Sequence, residues 1–507
     1  MSGVVAAGHI RSAEAGAAVL REGGNAVDAA AAAVLMSFAA ESLLTGPGAG
    51  GFMLIHTPAG QDVLLDFFVA APGLGSNRTP PARALEPVEI RFSDDAAQTF
   101  HVGPASCGVP GTLAGLAEAV RRFGTTALPE LCAPAARAAR EGIEITPMQG
   151  YLHDLLGPIM RSTSEGRALY EPGGRPLRPG EHLLMPELAD LLERFGLEGP
   201  GVLYGGEVGR TVAAFVAEQG GLLTHNDLST YAVIERTPAD AAYRGRRVLT
   251  NPPPSSGGIL VAYALDLLAR LDRPGDLGVL VEVMERANHA RTNEFTAGLH
   301  GETFLEEFMA HDAVAAVAGE LGSRLGSTTH VSALDAEGGC VSVTCSNGSS
   351  SGVIVPGTGV HLNNMLGEQD LNPLGFGRQP AGRRVSSMMA PTVVLREGRP
   401  EIALGSAGSN RLRSAILQTI LAVVDEGMGA AEAVARPRIH VEHGVIEAEP
   451  GVDARALTEL EGRGRAVRRW REANLYFGGV QAAVRDPETG AFSGGGDPRR
   501  GGAAVVV

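Results

Sequence analysis

The sequence predicts a single mixed α+β globule, and three observations support that class. Helical and strand patterns alternate irregularly along the 507 residues. Strand patterns dominate from residue 328 onward, whereas helical patterns dominate before it. No charged linker, low-complexity tract or internal repeat separates the two parts. We therefore expect both parts to share one core.

The first part is mainly helical. The apolar stretch Ala26–Ala40 predicts a buried helix that begins after an Asn25 cap, and it is about half a dozen residues too short to span a membrane. "GGFMLIHTPAGQDVLLDFFVAAP" predicts a hairpin, and "YRGRRVLTNPPPSSGG" a strand that ends in a proline-rich loop. Further helices are predicted over residues 111–124, "LPELCAPAARAAREG", "GRTVAAFVAEQGG" and "GILVAYALDLLARL".

The second part is mainly strands. It opens with a hairpin and continues with "PTVVLREGRPEIALGS" and "GVQAAVRDPETGAFSGG". One helix is predicted between them, over "RLRSAILQTILAVVDEGM".

Charge and cysteine usage exclude several classes of protein. A net charge of -15 argues against nucleic acid or a membrane surface as the main partner. The cysteines form no CxxC pair and have no zinc-ligand spacing to histidine, so we expect buried free thiols, no disulfide and no metal site. The first residues lack the pattern of a signal peptide, and a cytoplasmic location is expected.

The hairpin lies within "GSTTHVSALDAEGGCVSVTCSNGSSSG", residues 326–352. A turn over residues 336–339 pairs Val331 with Val343 and Ala333 with Val341. A slip of one residue would break this apolar match, so the pattern selects the register.

That register places hydroxyl side chains on the other face of the hairpin. Thr328 falls opposite Ser346, whereas Leu334 does not fit a polar face. A solvated polar face is the simpler interpretation. A hydroxyl nucleophile needs a base, and no Ser-His-Asp set is evident. A threonine that cleavage makes N-terminal would use its own α-amine.

Motifs along nearly the whole chain resemble the γ-glutamyltransferase family of N-terminal nucleophile hydrolases. The first part contains "LREGGNAVDAAAA", "GPGAGGFMLI", "GVPGTLAGL", "LTHNDLSTYAV" and "NPPPSSGGI". The second contains "TTHVSALDAEGGCVSVT", "GVHLNNML", "SSMMAPTVV", "GSAGSNRLRSAILQTI" and "GGGDPRRGGAA".

The resemblance implies an αββα sandwich and a precursor that cleaves itself between Ser327 and Thr328. Residues 1–327 would form the large-subunit region and residues 328–507 the small one, in one interlocked globule. The substrate would be a small-molecule amide, its acyl group passing to water or an amine, and no cofactor would be needed. A homodimer of processed units stays open.

The resemblance also assigns roles around the nucleophile. Ser346 would be the second hydroxyl, and the backbone N–H groups of Gly408 and Ser409 the oxyanion hole, although the family has glycine at the second position. Ser386 and Ser387 match serines that bind the substrate carboxylate. Thr329 matches the second threonine beside the nucleophile.

Substrate recognition departs from the family pattern. Phe68 replaces an arginine that grips the substrate α-carboxylate, and Val69 the glutamate after it. On the amino-group side Met365 replaces a polar residue, and Glu368 replaces an aspartate and keeps its charge on a longer side chain.

Two nearby residues complete the predicted binding site. Asn347 lies one place earlier than the family asparagine. Arg384 is an additional arginine that would bind a carboxylate or simply lie on the surface.

Three functional hypotheses follow. The first is a self-processing amide hydrolase or acyltransferase with altered acyl specificity. The second is a degenerate family member that binds a ligand or partner without catalysis. The third treats "GPGAGGF" or "PPPSSGG" as a phosphate-binding loop, although neither matches a known nucleotide pattern.

Overall fold

The strands of the protein form two large sheets and several small ones. The computed structural model describes residues 3–81, 84–93, 96–271, 275–310, 328–372 and 375–507. The strands within these ranges are β1 (Gly3–Ala7), β2 (Gly50–His56), β3 (Asp62–Phe67), β4 (Glu86–Ser93), β5 (Ala96–Val102), β6 (Ile143–Glu144), β7 (His182–Leu183), β8 (Ile234–Arg236), β9 (Ala239–Tyr243), β10 (Arg246–Thr250), β11 (Thr329–Asp335), β12 (Cys340–Ser346), β13 (Ile354–Val355), β14 (Val360–His361), β15 (Thr392–Arg396), β16 (Arg399–Ala407), β17 (Ile439–Glu442), β18 (Val445–Ala448), β19 (Ala466–Arg469), β20 (Gly479–Arg485), β21 (Phe492–Gly496) and β22 (Ala503–Val506).

The helices lie mainly before residue 328. They are α1 (Ile10–Arg21), α2 (Ala26–Ala40), α3 (Thr112–Phe123), α4 (Leu128–Glu141), α5 (Pro147–Met160), α6 (Ser164–Tyr170), α7 (Pro186–Glu198), α8 (Gly201–Tyr204), α9 (Glu207–Glu218), α10 (His225–Ser229), α11 (Ser256–Ala269), α12 (Leu277–His289), α13 (Asn293–Gly298), α14 (Phe304–Ala310), α15 (Arg411–Val424), α16 (Ala430–Ala435) and α17 (Ala454–Gly462). None of these described helices is long and apolar enough to cross a membrane.

Both large sheets take strands from both parts of the chain. The seven-stranded sheet has the order β22-β1-β11-β12-β2-β3-β8, and the six-stranded sheet the order β21-β20-β16-β15-β10-β9. All neighbouring strands in these two sheets pair antiparallel. Hairpin β11–β12 therefore lies at the centre of a sheet whose outer strands come from elsewhere in the sequence.

The apolar core has three large clusters of buried side chains. One cluster packs helices such as α2 and α4 on the outer face of the seven-stranded sheet. A second packs α11, α12 and α15 on the outer face of the six-stranded sheet. A third lies between the sheets and includes Val4, Phe52 and Ala403. Helix, sheet, sheet and helix thus form four layers, and the expected αββα sandwich is confirmed.

Helix α2 shows why an apolar stretch forms a buried helix here. All fifteen of its residues are buried, and the Asn25 side chain caps it by accepting from Val27 and Asp28 N–H groups. The one charged residue, Asp28, accepts hydrogen bonds from the backbone N–H groups of Asn25 and Thr125. The carboxylate is therefore satisfied inside the core.

Candidate active site

The nucleophile hairpin has the predicted register. Val331 pairs with Val343 and Ala333 with Val341 in the β11–β12 ladder. Thr328 lies directly before β11, and its Oγ1 donates a hydrogen bond to Ser346 Oγ over 3.3 Å. The two hydroxyls meet at the open end of the hairpin because alternation along antiparallel strands places them on one face. Ser327 lies outside the described residues.

The hydroxyl-rich face is buried between the two sheets, so the solvated alternative is wrong. His330 lies on this face, with Nδ1 2.8 Å from Thr344 Oγ1 and Nε2 3.0 Å from Ser332 Oγ. Burial lowers the pKa of His330 to about 3, which keeps the ring neutral. Ser342 Oγ donates to the carbonyl of Leu404 in the opposite sheet. The His330 bonds stay within the seven-stranded sheet, whereas the Ser342 bond joins the two sheets.

Leu334 fits this face after all. It lies between the sheets in the apolar cluster, opposite Cys340. The face therefore changes from apolar at the turn to polar at the nucleophile. Cys345 points to the helical layer instead, so the two cysteines of β12 lie on opposite faces, and both are buried free thiols.

Ser346 is oriented by the backbone that follows it. Its Oγ accepts a 2.8 Å hydrogen bond from the N–H of Gly348 as well as the bond from Thr328. Asn347, between them, is fully buried, and neither atom of its carboxamide bonds any described residue. A buried amide without a partner is costly, and the predicted role of Asn347 in substrate binding stays a prediction.

The proposed oxyanion residues lie between β16 and α15. Gly408 has a φ of +120° and Ser409 a φ of +51°, so both occupy backbone conformations that favour glycine. Ser409 Oγ donates to Asp370 Oδ2 over 2.7 Å. The serine thus occupies a glycine conformation with its hydroxyl bound to a neighbouring segment.

The paired serines have different surroundings. Ser387 is buried and its Oγ accepts from the N–H of Met389, whereas Ser386 is half-buried. The carbonyl of Ser387 accepts from the hydroxyls of Ser255 and Ser256. The "PPPSSGG" loop thus fixes the Ser386–Ser387 segment, which argues against a phosphate-binding role.

Apolar side chains occupy the positions at which the family resemblance predicts a changed substrate clamp. Phe68, Val69 and Met365 all belong to the inter-sheet apolar cluster, together with Leu366. The Phe68 ring stacks on Phe52 with 5.2 Å between centroids and is fully buried. These side chains are therefore part of one packed cluster, and we call the four residues with Phe52 the apolar wall.

Arg384 is a structural residue rather than a surface arginine. Its guanidinium donates to the backbone carbonyls of Phe68, Asp66 and Ala232 and lies 3.3 Å from Asp66 Oδ1. It also lies over the ring of Tyr231, 4.5 Å from the centroid. These contacts hold the backbone of the apolar wall and leave little donor capacity for a substrate carboxylate. The structure thus argues against the expected binding role.

Glu368 differs from expectation in its charge. Its Oε1 accepts from the N–H of Ser349 over 3.0 Å, two residues after Asn347. Burial, with a smaller effect from Asp370, raises the pKa of Glu368 to about 8. The carboxyl group is therefore mostly protonated at neutral pH, whereas the sequence predicts a charged one.

Sequence reasoning missed two acidic residues at the site. Glu41 Oε2 accepts a 2.6 Å hydrogen bond from Thr329 Oγ1, beside the nucleophile, and Glu41 Oε1 accepts from Ser12. Burial raises the pKa of Glu41 to about 7. Asp370 bonds Ser409 as described above. A charged residue at the end of an apolar stretch was the available signal for Glu41, whereas nothing local marks Asp370.

Comparison with known proteins places this geometry in a family. The gamma-glutamyltranspeptidase family model matches residues 12–507. The chain is 33% identical to the acylase ACY 1 proenzyme of Pseudomonas sp. (strain SE83), over 100% of this chain and 93% of that protein. It is 30% identical to the glutathione hydrolase proenzyme of Bacillus subtilis (strain 168), over 100% and 91%.

A solved structure supports the same assignment. The crystal structure of cephalosporin acylase from Bacillus halodurans superposes with a TM-score of 0.83 at 25% identity, over 99% of this chain and 95% of that one. The fold, the family model and the relatives agree: this chain is an enzyme that belongs to the gamma-glutamyltranspeptidase family of N-terminal nucleophile hydrolases and acyltransferases.

Proposed function

We propose that this enzyme cleaves itself before Thr328, uses Thr328 as its nucleophile, and transfers an acyl group other than γ-glutamyl to water or an amine. The observation that carries the proposal is the contact between Thr328 and Ser346, two hydroxyls 3.3 Å apart at the start of a central strand. Names of relatives support the processing step, since both the Pseudomonas and the Bacillus subtilis protein are called proenzymes.

The chemistry proceeds in two stages. In self-cleavage, Thr328 Oγ1 attacks the carbonyl of Ser327, the peptide nitrogen leaves as an amine, and water hydrolyses the resulting ester. In turnover, the freed α-amine accepts the hydroxyl proton while Oγ1 attacks the amide carbonyl. The amine returns that proton to the leaving group, and an acyl-enzyme ester remains. Water or an amine then releases the acyl group.

Ser346 and the loop that contains Gly408 and Ser409 assist this chemistry. The Ser346 hydroxyl holds Thr328 Oγ1 in a fixed direction, and Gly348 N–H holds Ser346 in turn. The N–H groups of Gly408 and Ser409 would stabilise the oxyanion that forms on attack, and loss of one such donor costs about 10²–10³ in rate in other enzymes.

The apolar wall supports an acyl group that lacks the α-carboxylate of a γ-glutamyl group. Phe68 and Met365 are fully packed, Arg384 is bound to backbone carbonyls, and Glu368 is mostly neutral. A substrate carboxylate placed against this surface would lose its hydration without gaining an arginine partner. One relative is named an acylase and another a glutathione hydrolase, and the wall favours the first kind of substrate.

A panel of p-nitroanilides on processed enzyme tests the proposal. We expect kcat/KM for simple apolar acyl groups, such as hexanoyl or phenylacetyl, to exceed that for γ-glutamyl at least about tenfold, because one apolar contact or one unpaired charge is worth that much. Thr328→Ala should be inactive on every substrate. Turnover by Thr328→Ala would refute the nucleophile, and a preference for γ-glutamyl would refute the altered specificity.

Variants at Phe68 sharpen the test. Phe68→Arg should raise activity on the γ-glutamyl substrate relative to the apolar ones if the lost arginine limits it, whereas Phe68→Leu keeps the wall apolar and serves as the control. A chain that stays uncleaved and inactive on the whole panel would instead be the binding protein considered above. The cytoplasmic location and a homodimer stay predictions.

A further inference from the structure

The loop between β16 and α15 contains a conformational conflict. Ser409 has a φ of +51°, a left-handed conformation in which a Cβ atom is disfavoured and glycine is not. The family resemblance places a glycine there. A serine in this conformation needs a compensating interaction, or the two N–H groups of Gly408 and Ser409 lose their fixed direction.

Asp370 supplies that interaction. Its Oδ2 accepts the hydrogen bond of 2.7 Å from Ser409 Oγ, and its side chain is about nine-tenths buried. Non-glycine residues persist in the left-handed region where the surrounding structure holds them, and this bond comes from a residue 39 positions away. The bond is therefore specific to the serine, since a glycine has no hydroxyl to donate.

The same segment is braced by Arg291. This residue follows α12, and it donates from Nη1 to Asn410 Oδ1 and from Nη2 to the backbone carbonyl of Asp370, each over 3.2 Å. Asn410 also donates to Glu442 Oε1 over 3.0 Å. Asp370 and the loop are thus held at a fixed separation by a residue from the large-subunit region.

We propose that Asp370 is a positioning residue that holds Ser409 in its left-handed conformation, so that the N–H groups of Gly408 and Ser409 stay directed at the oxyanion. The inference rests on the proposed function, because it needs an oxyanion at this loop. It deepens that function by explaining how this chain keeps an oxyanion hole without the second glycine. Asp370 touches no reacting atom in this role.

A compensating pair of substitutions tests the role of Asp370. Asp370→Ala should lower kcat by about ten- to a hundredfold with KM nearly unchanged, since a misdirected donor loses much of its value. Ser409→Gly alone supplies the reference kcat for the double variant, because a glycine in this conformation does not need the bond to Asp370. Ser409→Gly in the Asp370→Ala background should restore kcat to within about threefold of Ser409→Gly alone, a strongly non-additive result.

A matched control separates rescue from general stabilisation. Glu397 has a φ of +52° in the exposed turn between β15 and β16, so Glu397→Gly relieves the same conformation away from the site. It should not rescue Asp370→Ala. If Asp370→Ala does not fold, Ser409→Ala replaces it, because it loses the hydroxyl and keeps the Cβ: its kcat should fall below that of Ser409→Gly.

Several results would overturn the inference. The other carboxylate oxygen, Asp370 Oδ1, is buried without a bond to a described residue, and a role in binding a substrate cation would show as a rise in KM that Ser409→Gly does not repair. Equal kcat for Ser409→Ala and Ser409→Gly would also contradict it. These outcomes would not affect the assignment of Thr328 as the nucleophile. Turnover by Thr328→Ala would refute the proposed function regardless of the results for the Asp370 variants.

Discussion

The nucleophile pair and the apolar wall are built by different forces, although both lie between the same two sheets. Thr328 and Ser346 are brought together by strand register and by hydrogen bonds to the backbone and to neighbouring hydroxyls. Phe68 and Met365 are held by packing against Phe52 and its neighbours. A hydrogen-bonded register tolerates few substitutions, whereas a packed wall accepts many. Reaction chemistry and acyl specificity can therefore change independently in this fold.

After loss of the nucleophile itself, the largest effect on activity should come from Ser346→Ala in processed enzyme. It removes the acceptor of the Thr328 hydroxyl and leaves the Gly348 N–H unpaired, so kcat should fall about a hundredfold. Ser346→Thr keeps the hydroxyl and should retain most of the activity. Equal activity for alanine and threonine would show that the register alone, without the second hydroxyl, supports catalysis.

Gly405→Ala should lower the stability of the protein by disturbing the hydroxyl-rich face between the two sheets. A Cβ at Gly405, in the six-stranded sheet, would lie 2.3 Å from His330 Cε1, so the His330 ring and its hydrogen bonds to Thr344 and Ser332 must shift. We expect a loss of about 1–3 kcal/mol in the free energy of unfolding, measured by denaturant titration. Gly462→Ala, whose Cβ would meet no atom within 4 Å, is the control and should be nearly neutral. An equal effect of both would contradict tight packing between the sheets.

A smaller effect concerns Glu368, which lies between the two regions. Since burial raises its pKa to about 8, the folded state keeps a proton that the unfolded state has released. Its contribution to the unfolding free energy is present below about pH 4.5 and is lost as pH rises through about 8. Glu368→Gln should flatten this part of the pH dependence, measured as urea midpoints at pH 5 and pH 8.5. Glu337→Gln, in the exposed hairpin turn, should not.

Local patterns were enough to predict the hairpin, and long-range contacts were not predictable from them. Alternation alone fixed the pairing of Val331 with Val343 and placed Thr328 beside Ser346. It could not show that the polar face is covered by the second sheet, because that depends on strands far away in sequence. For the same reason Leu334 looked misplaced until its inter-sheet contacts were known.

The errors at the binding site have a related cause. Arg384 binds carbonyls more than 150 residues away, and Glu41 bonds a threonine 288 positions later. The charge state of Glu368 follows from burial, which no local pattern reveals. The family resemblance supplied the positions, and the structure was needed to show which of those side chains are already engaged.

The most direct measurement is intact-mass spectrometry of purified protein, before and after brief exposure to a slowly released acyl substrate. We predict two chains, residues 1–327 and 328–507, and an added acyl mass on the second chain at Thr328. Thr328→Ala should stay a single chain and gain no mass. A single uncleaved chain that still turns over substrate, or an acyl group on another residue, would contradict the account.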